Sequence, residues 1–448
     1  MPVVTVRLPA RMATLLRCWS VPANFAALYR QDHSTFHLIN GLRFFSFAWI
    51  LAFHTVLVYA LKIDKQQFFL LADQAPLSLW WVWNADKAVD LFFVVSGFLI
   101  GLILLREIHK TGDIDLPRFY FRRYLRLTPV YALIALLYWW GAGSNADMLW
   151  ANLLYINNFL PVDDMAMRWT WTLAVEEQFY LALPLALLWL GRAPGRHFWR
   201  WMTSLLLLSF AIRALVVFWF PELRLHSMQD LLATPGISDI YYEKLYDNLL
   251  TRYGPFVLGV MTAWLYLHRR PALAHWFSQH TGQLRALDAG ALLLFLWLLF
   301  YPVNQSVHGE PGGFLQAYLV SHHNLFALTV SWFMLRSFLN LRRPNLLARF
   351  LSWRGWQPFS QLTYSMYLTH LMIIGFALAN VQANLQALMS LTSGTLVVYT
   401  LLLGFLLSLL LSILVGILCW LLVEKPFLNL RDWISEPDST THTSPSPA

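Results

Sequence analysis

The 448 residues are 58% hydrophobic and 12% charged, with a mean hydropathy of +0.51, which excludes a water-soluble globular fold and leaves length for many membrane spans. The formal net charge of +8 reads as an orientation signal and contact with anionic membrane lipids, not as a nucleic-acid footprint, so no nucleic-acid partner is expected. Cys18 and Cys419 offer neither a disulfide framework nor metal-ligand spacing, so no metal is expected.

Ten apolar stretches are countable, at about 40–62, 86–106, 128–141, 170–190, 199–220, 253–268, 286–303, 317–338, 361–379 and 395–423. The expected fold class is therefore all-α: a polytopic membrane protein built as a bundle of about ten transmembrane helices. Short cytoplasmic loops hold the Lys and Arg excess. The N-terminal segment, the loops after even-numbered spans and the tail carry 23 of the 32 Lys and Arg, so both termini are expected in the cytoplasm. The chain divides into a cytoplasmic N-terminal segment (1–36) without the features of a cleaved signal peptide, a membrane domain (37–432), and a polar, Pro-containing tail (433–448) expected to be disordered. The longest polar connection, about 30 residues from Pro221 to Arg252, reads as an extracytoplasmic loop.

In the first span Arg43 and His54 are eleven residues apart, which on a helix is three turns plus roughly 20°, so they share a face about 16 Å apart. An arginine near the inner end can bind an anion and an imidazole deeper in the membrane can accept a proton; a snorkelling Arg and a hydrogen-bonded core His are the plainer alternative. The second span, AVDLFFVVSGFLIG, places Asp90 at a depth similar to His54 on the adjacent antiparallel helix, where a carboxylate can orient the imidazole or act only as a helix N-terminal acid. Gly97 and Gly101 have the spacing of close helix packing.

The following segment, RFYFRRYLRLTPVY, carries Arg118, Arg122, Arg123 and Arg126 on the expected cytoplasmic face. Such a cluster suits phosphate oxygens, or serves as a positive-inside anchor on lipid headgroups. The fourth span opens WTLAVEEQFYLALPL, with Glu176 and Glu177 side by side and about 100° apart, so one faces the cavity. Each can bind an arginine, act in proton transfer, or pair structurally with Arg252 or Arg213. The ninth span carries LTYSMYLTH, whose Tyr364, Tyr367 and His370 form a slanted stripe. His370, like His322 and His323 in the eighth span, also fits a satisfied structural role.

In order, GLRFFSFAWILAFH, VDLFFVVSGFLI, FYFRRYLRLTPVY, WTLAVEEQFYL, YSMYLTH and EKPF resemble the signature segments of membrane-bound acyltransferase family 3, which includes bacterial O-antigen O-acetyltransferases, over about residues 36–432. By motif, Arg43 and His54 match the family's Arg-x10-His pair, and Arg123 and Arg126 its Arg-x-x-Arg pair. Glu176 and Glu177 fall in its WSLSVEEQFY-like segment, with Thr172 and Ala174 in the two Ser positions.

The resemblance implies a bacterial inner-membrane, multi-pass O-acyltransferase that takes an acyl group, most often acetyl, from acyl-CoA and places it on a hydroxyl of a cell-surface glycan or glycolipid. Acyl-CoA is then a donor substrate and no cofactor is bound permanently. His54 is expected as the base, or else as a transient acyl carrier, with Asp90 or Glu177 tuning it. Arg43, Arg122, Arg123 and Arg126 are expected to contact the donor, and Glu176, Tyr367, His370 and Arg252 to bind substrate. Homo-oligomerisation is left open. A transporter or flippase of a glycan precursor is the rival from another class, because it too would place polar groups at mid-membrane; a lipid-binding scaffold without chemistry is a third.

Overall fold

The computed structural model describes residues 15–30, 36–63, 75–190, 195–301, 310–339, 344–388 and 393–435. Among them lie ten helices of 15 residues or more and no strand: α1 (His37–Ile63), α2 (Asp86–Thr111), α3 (Leu116–Trp140), α4 (Trp171–Leu190), α5 (Gly195–Trp219), α6 (Gly254–His268), α7 (Thr281–Leu299), α8 (Gly313–Leu339), α9 (Trp356–Leu388) and α10 (Ser393–Cys419). Each overlaps one of the ten apolar stretches, although α3 begins twelve residues before its stretch at 128–141 and takes in the arginine segment. Seven described helices are long and apolar enough by themselves to cross a membrane, which makes this an all-α, multi-pass membrane protein. The exceptions are α3, α6 and α8. The first carries four arginines, the second has only 15 residues, and the third holds His322, His323 and Asn324, all buried. α8 satisfies these groups against protein rather than lipid, His323 on Asp90 and Asn324 on Ser209.

α2 is the axis of the bundle, buried along most of its length and packed by α1, α4, α6 and α8. Its closest neighbour is α6. Gly97 lies against the backbone of Phe256, and Gly259 against the backbone of Val94, with no room for a Cβ at either, so the two helices meet backbone to backbone. α9 packs on α10 and α1, which brings the YSMYLTH segment alongside the Arg43/His54 helix.

The segments flanking the bundle meet at one end. Asn429 Nδ2 donates to Cys18 O at 3.1 Å and to Asn24 Oδ1 at 3.0 Å, and Arg122 Nη2 to Asp432 Oδ1 at 3.2 Å. The arginine cluster lies at this same end. Residues 433–435, assigned from composition to a disordered tail, instead finish the helix Lys425–Ser435; the rest of that tail lies outside the described residues.

The connection from Pro221 to Arg252 is not a plain loop. It folds into helices Pro221–Leu225, Met228–Ala233 and Ile237–Ile240, a π-helical turn Tyr241–Tyr246, and a last turn Leu249–Arg252. Ser227 and Asp230 form a reciprocal capping box at 3.2 Å each way. Arg213, fully buried on α5, anchors this cap, donating to Thr251 O at 2.9 Å and, on the other side, to Val320 O of α8 at 3.0 Å.

Candidate functional site

α3 starts where Asp115 Oδ1 accepts from the Arg118 backbone N–H at 3.1 Å and runs unbroken through the arginine segment, so Arg123 and Arg126 are neighbours on one face. With Arg43 of α1 they line a cavity of about 280 Å³ whose wall includes Glu176 and Tyr180. The Arg123 guanidinium stacks over the rings of Phe119 and Tyr180, 5.7 and 5.6 Å from their centroids. Arg122 departs from the expected donor contacts: it is turned to Asp432 and does not line the cavity.

The two glutamates separate as their 100° offset requires. Glu176 faces the arginine cavity and accepts from Ser96 Oγ at 2.6 Å and from Tyr180 Oη. Glu177 does not line that cavity and its buried Oε1 has no hydrogen bond, so the expected contact with His54 is not formed.

His54 lies at a constriction of about 40 Å³, lined also by Asp86, Trp171, Thr172 and Tyr367. Ile50, Val89, Thr172 and Tyr367 are shared between this constriction and the arginine cavity. His54 Nδ1 is 2.8 Å from His370 Nε2, with the rings stacked 5.0 Å apart. His370 was expected among the substrate contacts; it is fully buried behind His54. The Tyr367 hydroxyl donates to Trp169 O at 2.6 Å and accepts from Thr172 Oγ1 at 2.7 Å, holding α9 against α4.

Asp90, expected to orient His54, faces the other way. It pairs with Arg252 Nη2 at 3.1 Å and with His323 Nδ1 at 2.6 Å, all three groups buried. Arg252 was expected to bind substrate; it is fully buried under the rings of Trp171 and Tyr246. The carboxylate beside His54 is Asp86, one helical turn earlier, and Lys87 Nζ holds its Oδ1 at 3.0 Å. Asp86 escaped the sequence reading although its i, i+4 spacing from Asp90 put both on one face. Asp86, His322 and His323 also converge closely enough to ligate a cation. With Lys87 on Asp86 and Arg252 on Asp90, the cluster is already ion-paired.

Beyond the constriction, a cavity of about 540 Å³ shares His54, Asp86, Trp169, Trp171 and Tyr246 with it. The folded cap supplies Tyr241, Tyr242, Asp239 and Asp247, and the loop before α4 supplies Asp163 and Arg168. Aromatic faces interleaved with carboxylates can stack on sugar rings and accept from their hydroxyls. Burial, with Glu243 nearby, pushes the Asp247 carboxyl from 3.8 up to about 8. The folded protein therefore holds a proton that the unfolded chain has released, and stability falls as pH rises between about 4 and about 8. Asp247→Asn is expected to flatten that slope by up to about 1.4 kcal/mol per pH unit. Thermal unfolding in detergent from pH 5 to 8 measures it, and identical slopes for variant and parent would refute it.

Residues 36–422 match the family profile described as "Acyltransferase domain". The chain is similar to Nose resistant to fluoxetine protein 6 of Caenorhabditis elegans, at 24% identity over 389 residues, 74% of this chain and 44% of that protein. It is likewise similar to O-acetyltransferase OatA of Staphylococcus aureus, at 26% identity over 334 residues, 67% of this chain and 48% of that protein. The chain thus spans about half the length of these relatives. No solved structure matches it.

Proposed function

The chain belongs to membrane-bound acyltransferase family 3, and on that premise we propose that it is an inner-membrane O-acyltransferase of bacteria that moves an acyl group, most simply acetyl, from acyl-CoA to a hydroxyl of a cell-surface carbohydrate or glycolipid. The observation that carries this reading is the constriction at His54, between an arginine-lined cavity and one lined by aromatics and carboxylates. In this reading Arg43, Arg123 and Arg126 hold the phosphates of CoA while its pantetheine arm brings the thioester toward His54. The acceptor enters from the aromatic side. Its hydroxyl oxygen bonds to the acyl carbon as His54 takes the proton; the C–S bond breaks, and the proton ends on the CoA sulfur.

The constriction also weighs against the flippase. It encloses about 40 Å³, against about 280 and 540 Å³ in the cavities on either side. A space of that size suits the transfer of a small acyl group better than the passage of a whole sugar.

Acetyl-CoA titrated against the purified full chain in detergent is expected to bind saturably and to be displaced by CoA. Mass spectrometry of surface glycans from a deletion strain is expected to show acyl groups missing relative to the parent. Absence of both effects would overturn the assignment.

A further inference from the structure

We infer that His370 is the positioning residue that sets the tautomer of His54, a role that rests on His54 being the base. His370 sits one turn after Tyr367 on α9, and its ring folds back along the helix so that Nδ1 lies 2.5 Å from the Tyr367 carbonyl oxygen. A carbonyl only accepts, so His370 Nδ1 carries a hydrogen. The ring is fully buried, and its neighbours are the rings of Phe47, Tyr367 and His54. Among the described residues no carboxylate pairs with it, so nothing there offsets the cost of charging it and the imidazole is neutral. A neutral imidazole with hydrogen on Nδ1 has a bare lone pair on Nε2.

That lone pair faces His54 Nδ1 at 2.8 Å. His54 must therefore donate through Nδ1, which in the neutral ring that acts as a base leaves its own Nε2 unprotonated. Among the described residues the His54 ring has no other hydrogen bond, and its side chain lines both the constriction and the aromatic cavity. The chain of donors Nδ1(54) to Nε2(370), then Nδ1(370) to the Tyr367 carbonyl, thus ends by presenting a basic nitrogen for the acceptor hydroxyl.

The arrangement parallels the carboxylate that holds a histidine in serine hydrolases, with one chemical difference. His370 supplies a hydrogen bond but no negative charge. The imidazolium formed when His54 Nε2 takes the acceptor's proton is oriented by His370 but given no counter-charge by it, and Asp86, which lines the same constriction, is already paired with Lys87; this favours passing the proton on to the sulfur of the departing CoA thiolate.

The test compares His370→Gln with His370→Leu in the full-length protein, together with His54→Ala, for acyl transfer in a complemented deletion strain and for acetyl-CoA affinity in detergent. A glutamine amide can accept from His54 through Oε1 and donate to the Tyr367 carbonyl through Nε2. Transfer is therefore expected to stay within about tenfold of wild type for the Gln variant and to fall about a hundredfold or more for the Leu variant, with affinity preserved in both. Wild-type transfer by His370→Leu, or equal loss in the Gln and Leu variants with intact affinity, would overturn the tautomer role while an inactive His54→Ala kept the base. An active His54→Ala would remove the base itself. If the Leu variant fails to fold, nitrogen-15 NMR of histidine-labelled wild-type protein decides: His54 protonated on Nδ1 supports the role, and protonation on Nε2 alone refutes it.

Discussion

Replacing His54 by alanine is expected to cut acyl transfer by about 10²- to 10⁴-fold, the range that a positioned general base supplies, while acyl-CoA affinity changes little. The base acts on the acceptor's proton at the constriction, and the nucleotide is held by another set of residues at the arginine cavity. His54 is half-buried and tied to the protein at one ring nitrogen, so truncating it opens a small polar gap without unpairing a buried charge. Loss of kcat with unchanged affinity is the signature of an interaction made in the transition state. Purified His54→Ala protein assayed for acyl-CoA binding and for transfer gives both numbers. Near wild-type transfer would reduce His54 to a structural histidine.

The arginines should fail in the opposite way. Arg123→Ala or Arg126→Ala is expected to weaken acyl-CoA binding by about ten- to a hundredfold, equivalent to about 1.5 to 3 kcal/mol for a hydrogen bond to a charged group. Phosphates held there do not change charge during the reaction, so KM rises and kcat stays largely alone. Arg43 lies on α1 with His54 and lines the cavity that adjoins the constriction, so Arg43→Ala is expected to impair both binding and turnover by misaligning the thioester. Arg122→Ala is the internal comparison: its partner Asp432 is outside the cavity and the pair is well exposed, a setting in which ion pairs contribute little. Titration of acyl-CoA against the four variants separates these outcomes. Unchanged affinity in both the Arg123 and Arg126 variants would reduce the cluster to a membrane anchor.

Hydropathy is a local property, and what depends on it was determined by the sequence alone: the all-α class, the ten helical stretches, and the arginine cluster gathered at one end of the bundle. Spacing along one helix was equally legible. Arg43 and His54 fall on α1, Arg123 and Arg126 on α3, and the two adjacent glutamates could not face one spot. Which side chain meets which depends on how the helices pack. His54 finds its partner at His370, 316 residues away in the chain, instead of at Asp90, and Asp90 finds Arg252 and His323. Of the glutamates, Glu176 faces the arginine cavity; of the arginines, Arg122 turns away from it. These choices follow from the rotation of each helix about its own axis. That rotation is set by packing between distant segments, such as Gly97 of α2 pressed on the backbone of α6, because without water in the membrane each buried polar group must be satisfied by whichever helix the packing turns toward it.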